Sequence, residues 1–112
     1  MSLSLAESMI KAASLQIAGK KEEALAELCH ARDAGHHSPK LYGAIGHLHF
    51  ELRQFQAAAR DYEEALRLDR DDATTHYNRA VCLEKLDDWE HAAAAFQKAT
   101  ELDSRRAGAH LA

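Results

Sequence analysis

Residues 39–72 read PKLYGAIGHLHFELRQFQAAARDYEEALRLDRDD, and this stretch decides the fold. It opens on Ser38-Pro39, a capping hydroxyl followed by a residue preset for the first helical turn. Apolar residues then recur at helical spacing, break near the middle of the stretch and resume. The pattern returns 34 residues earlier and 34 residues later without a gap. With units starting at Leu5, Pro39 and Ala73, the eighth positions hold Ala12, Gly46 and Ala80. The twentieth hold Ala24, Ala58 and Ala92, and the twenty-seventh hold Ala31, Ala65 and Ala99. The twenty-fourth are all large: Leu28, Tyr62 and Phe96.

Packing explains these columns. Small residues let two antiparallel helices approach closely, and the large residue fills the space beside them. Gly19 ends a first helix in unit one, and Asp87-Asp88 caps the second helix of unit three. The spacing predicts helices at about 5–18, 21–34, 39–52, 55–68, 73–86 and 89–102.

Unit two carries Tyr42, Ile45-Gly46, Ala58, Tyr62, Ala65 and Leu68-Asp69, and unit three carries Asn78, Ala80, Leu83, Trp89, Ala92, Phe96, Ala99 and Leu102-Asp103. In this register the chain resembles the tetratricopeptide repeat family over residues 5–106. The resemblance implies an all-α fold, a right-handed superhelical solenoid of three helix-turn-helix units at 5–38, 39–72 and 73–106. Residues 1–4 are then an N-terminal extension or vector remnant, and 107–112 the truncated start of a further repeat or cap. There are departures from the family pattern. Its usual late proline is replaced by His36, Arg70 and Ser104, its seventh position is charged at Lys11 and Arg79, and Ser8 stands where a bulky residue is usual.

Composition narrows the function. Eighteen acidic against 14 basic residues give a net charge of −4, with no basic stripe for nucleic acid. No apolar run is long enough to span a membrane. Met1–Leu5 lacks the basic and apolar regions of a secretory leader. Cys29 and Cys82, without close spacing, are expected as free thiols in a reducing compartment, so the cytoplasm is the expected location. The eight histidines are spread over turns and separate helices. His47 and His49 lie about 200° apart around one helix, and His47 with Glu51 makes only two ligands, so no metal is expected. No nucleophile constellation, phosphate loop or paired-carboxylate arrangement stands out, and the chain reads as a non-enzyme without a cofactor.

The family resemblance implies a concave groove, lined by the first helix of each unit, that binds a peptide segment of a partner. The implied lining set is Met9, Ile17, Lys40, His47, Phe50, Glu51, Tyr77, Asn78, Val81 and Lys85. Phe50, Tyr77 and Val81 are apolar anchors, and Asn78 can clamp a peptide backbone. The competing reading packs Phe50 and Tyr77 between neighbouring repeats. Some family members grip acidic chaperone C-terminal tails with a carboxylate clamp of Lys, Asn and Arg. Here those places hold Met9, Ala13, Ala44, Thr74 and Asn78, or, one unit on, Gly43, His47, Asn78, Gly108 and Ala112. No chaperone-tail binding is expected, because a terminal carboxylate would enter without cations. The expected function is therefore a protein-interaction module, part of a larger protein. The alternatives are self-association through an uncovered end near Phe96 and Leu102, or a regulatory appendage of a bacterial enzyme such as a protein kinase.

Overall fold

The computed structural model describes the backbone of residues 4–111 and the side chains of residues 4–105. Six helices account for it: α1 (Leu5–Ile17), α2 (Lys21–Asp33), α3 (Pro39–Glu51), α4 (Phe55–Leu68), α5 (Ala73–Lys85) and α6 (Trp89–Leu111). Among the described residues there is no strand. Each helix packs on the next in chain order, giving an extended stack of three antiparallel pairs, 46 × 36 × 25 Å.

The first helix of every pair starts on a side-chain cap, and the caps repeat in register at Ser4, Ser38 and Asp72. The Ser4 hydroxyl accepts from the Glu7 amide at 3.2 Å while the Glu7 carboxylate accepts from the Ser4 amide at 3.3 Å. Ser4, assigned above to the extension, is thus the cap of α1; Met1–Leu3 lie outside the described residues. The turn inside each pair also has a fixed register. Gly19, Arg53 and Asp87 all take positive φ, at 81°, 64° and 62°. Glycine does so freely and aspartate tolerably; for arginine it costs roughly 1–2 kcal/mol.

All nine small residues of the repeat columns are buried, Ala24, Ala58 and Ala80 fully. Leu41, Ile45 and Leu48 of α3 are sealed against Ala12, Ala24, Leu28 and Ala31, which joins units one and two. Each such buried aliphatic side chain contributes roughly 1.5–3 kcal/mol. Cys82 of α5 packs against Ala58, Ala59 and Tyr62 of α4, which joins units two and three. On α1 the positions equivalent to Leu41, Ile45 and Leu48 are Glu7, Lys11 and Ser14, all exposed, so the outer face of unit one is polar. Arg79, charged at a stacking position, keeps its guanidinium accessible by reaching Glu63 of α4 at 3.4 Å.

The last helix departs from expectation. It runs on to Leu111 instead of ending near 102, so residues 107–111 continue α6 rather than opening a new helix. Ser104 replaces the proline that would stop it, and a lone Gly108 costs only about 1 kcal/mol. The expected uncovered end is also absent at Phe96 and Leu102. Leu102 is 7% exposed and Phe96 is half-buried against the cluster of Ala80, Leu83, Ala92 and Ala95. At the opposite, N-terminal end of α6, Trp89 is exposed at 62%.

Candidate binding groove

Stacking of the pairs brings the first helices α1, α3 and α5 to one face, and three hollows lie along them. The central one, of about 300 Å³, is lined by His47 and Phe50 from α3, Tyr77, Asn78 and Val81 from α5, and Tyr62 from α4. Five of these six are residues of the expected groove. Tyr62 was assigned only to packing; its ring forms part of the wall because Gly46 lets it lie close to α3. A glycine opposite an aromatic residue in the repeat columns was the available signal.

The aromatic walls are held from behind. Phe50 meets Phe55 edge to face at 5.3 Å, and Tyr77 meets Phe96 in the same way at 5.4 Å. Phe50 therefore packs as well as lines, but Tyr77 remains 54% exposed. Among the described residues the Asn78 amide has no protein hydrogen-bond partner, although it borders the hollow. That leaves two donors and an acceptor for a peptide backbone.

Met9 and Lys40 belong to a second hollow at the other end of the helices, with Leu5, Ala6, Gly43, Asp69, Asp72 and Thr75 among its walls. Glu51 and Lys85 line a third with Phe50, Lys21, Arg53 and Phe55. Phe50 is shared by the central and third hollows. Ile17, at 89% exposure, lines none of these three.

Glu51 is more constrained than expected. It accepts from Gln16 at 2.7 Å, Lys21 at 3.2 Å and His47 at 2.6 Å. Partial desolvation would raise its carboxyl, but the hydrogen bond from Lys21 and the neighbouring His47 and Gln16 hold it below the ordinary value. Glu51 acts as a tie between α1, α2 and α3 rather than a free contact.

Several other histidines are engaged elsewhere. His49, on the opposite side of α3 from His47, pairs with Asp61 of α4 at 2.5 Å, with both side chains nearly buried. Burial pushes the Asp61 carboxyl up, against the lowering effect of the His49 hydrogen bond. This pair was missed because its partners lie on different helices with no shared spacing. His37 meets the Tyr42 hydroxyl at 2.8 Å, and His76 donates to the Arg70 carbonyl at 2.9 Å. Among the described residues no three His, Cys, Asp or Glu side chains converge as a metal site would require. Cys29 and Cys82 are free, half-buried and buried respectively. Among the described residues no helix is long and apolar enough to cross a membrane.

An in-register stack of helix pairs with a lined hollow across its first helices defines the helical-repeat solenoids. The chain belongs to the tetratricopeptide repeat family, whose sequence profile matches residues 44–107. It is 36% identical over 62 residues to protein unc-45 homolog B of Mus musculus, covering 53% of this chain and only 7% of that protein. Among solved structures it resembles the first repeat domain of Spaghetti (RPAP3) bound to the HSP90 peptide SRMEEVD. That match has a TM-score of 0.83 and 23% identity, over 89% of this chain and 79% of that one. It also resembles MamA MSR-1, with a TM-score of 0.82 and 22% identity, over 92% of this chain and 59% of that one.

Proposed function

We propose that the chain is a protein-interaction module that binds a peptide segment of a partner in its concave groove. The central hollow carries this reading. Phe50, Tyr77 and Val81 offer apolar contact around an Asn78 amide without a protein partner, and such aromatic-lined pockets with convergent polar groups anchor peptides. His47 sets register at its edge, Lys85 does so from the neighbouring hollow that shares Phe50, and Lys40 and Met9 contact the segment in the separate hollow between α1 and α3. These side chains supply contact and orientation rather than catalysis. The mouse relative carries its matching segment within a much longer chain, which supports reading this one as a module of a larger protein. Two free thiols suit a reducing compartment, and on that ground we assign the cytoplasm.

The peptide held by the Spaghetti domain ends in an acidic tail, but Met9, Ala13, Ala44, Thr74 and Asn78 give this groove no cation where a carboxylate clamp needs one. Titration calorimetry with SRMEEVD is expected to give no micromolar binding; a micromolar Kd overturns that exclusion. The groove itself is tested with a displayed library of random 12-residue peptides, followed by calorimetry on an enriched sequence. Phe50→Ala with Tyr77→Ala should weaken that peptide at least about tenfold while helicity is kept. Unchanged affinity overturns the groove.

A further inference from the structure

The edge formed by the turns within units two and three carries two opposite halves side by side. One half is a hollow of about 480 Å³ whose walls include Arg53, Phe55, Arg60 and Leu86. Lys85 stands beside it, one residue before Leu86. The other half is Asp87-Asp88-Trp89-Glu90, immediately after Leu86, with Trp89 62% exposed and Asp87 and Glu90 in solvent. Among the described residues, Arg53, Arg60, Lys85, Asp87 and Glu90 form no ion pair within the chain. Arg53 also occupies its left-handed turn position, where unit one has Gly19, at a steric cost.

We infer that this edge is a self-complementary surface through which two copies of the chain pair about a two-fold axis. The Trp89 indole of each copy enters the hollow between Phe55 and Leu86 of the other. Asp87 and Glu90 then face Arg53, Arg60 and Lys85. A two-fold contact requires one patch to hold both members of each interaction, and here Leu86 lines the hollow with Arg53 and Arg60 and is followed directly by the acidic, Trp89-bearing half. Opposite charge around a single aromatic anchor is the arrangement that concentrates binding energy in a small interface. The surface differs from the peptide groove and uses neither Tyr77 nor Val81. It also differs from an association through Phe96 and Leu102, which are covered.

Sedimentation velocity of the full chain at low salt, from about 1 to about 200 μM, reads the association directly. A concentration-dependent dimer is expected, weakened several-fold as added salt shortens the screening length to about 3 Å near 1 M. Trp89→Ser should weaken it at least about tenfold, with helicity and melting checked first. Asp87→Arg with Glu90→Lys should abolish self-pairing, and so should Arg53→Glu with Arg60→Glu. Melting of the first pair is checked too, because arginine at the left-handed position of Asp87, which unit two accommodates at Arg53, carries a steric cost. Mixing these two charge-reversed proteins should restore a one-to-one heterodimer. A monomer throughout the range overturns the inference. So does a dimer indifferent to Trp89→Ser and to charge reversal, or a mixture that stays monomeric.

Discussion

The ring of Tyr62 lies 3.0 Å from the point a Cβ on Gly46 would occupy, with two more ring atoms at 3.1 and 3.2 Å. An aromatic face from α4 thus fills the space that alanine takes at the same position in units one and three. Tyr62 is 3% exposed and backed by Ala58, Ala59 and Cys82, so it has little room to retreat. Gly46→Ala gains about 1 kcal/mol of helix propensity but meets overpacking of about 1–3 kcal/mol. The net expectation is a loss of roughly 1 kcal/mol. In a Tyr62→Leu background, which recreates the Ala12 and Leu28 pairing of unit one, the same substitution should become stabilising. Urea denaturation of the four proteins reads this change of sign.

The His49–Asp61 pair predicts a strong asymmetry between single and double changes. His49→Ala leaves a nearly buried carboxylate without its partner and should cost about 3 kcal/mol. Replacing both residues by leucine removes the stranded charge and should cost clearly less than the sum of the single changes. A double-mutant cycle by denaturant melting checks it; simple additivity would deny the coupling.

The same carboxyl sets a pH dependence. Burial raises Asp61 in the fold above its ordinary 3.8, so the folded state holds that proton more tightly than the unfolded one. Its contribution to stability is full below about pH 3.8 and is lost as pH rises through the raised folded value. Asp61→Asn keeps an oxygen for His49 and removes the titration. Wild type should therefore lose ground to Asp61→Asn as pH climbs from about 3.8. Thermal melting of both proteins in steps of pH measures the difference.

The two thiols should separate kinetically. Burial pushes the Cys82 thiol up to about 11, and it is fully enclosed. The Cys29 thiol is also raised by burial but is only half-buried. At mildly alkaline pH the native protein should take up one equivalent of iodoacetamide at Cys29, with Cys82 modified only on unfolding. Peptide mass spectrometry distinguishes them.

The repeat columns were legible because interhelical distance dictates side-chain size, and size is written directly in the residue type. The caps at Ser38 and Asp88 were legible for a similar reason, since a capping oxygen acts within three residues of itself. Ser4 repeats the same column, yet its place at the start of the chain hid it. What stayed hidden depended on rotation about helix axes or on distance across helices. His49 faces Asp61 through the phase of two helices, and Glu51 gathers donors from three. Five groove residues converge on one hollow, but Ile17, at the last turn of α1, lies away from it and stays exposed. The end of α6 was misjudged because a repeat boundary was read as a helix boundary where no breaker stands.

The Glu51 tie makes the groove sides of the two joints chemically unequal. Gln16 and Lys21 of unit one both clamp Glu51 of unit two on the groove side. Between units two and three the polar links are the Arg79–Glu63 contact and the His76 hydrogen bond to the Arg70 carbonyl, both away from the central hollow, beside the apolar packing of Cys82. The joint between units one and two is therefore pinned by charge on the groove side, and the joint between units two and three is not. Added salt should therefore loosen the first joint at the very face where a ligand would lie, and leave the apolar seam beneath Cys82 untouched.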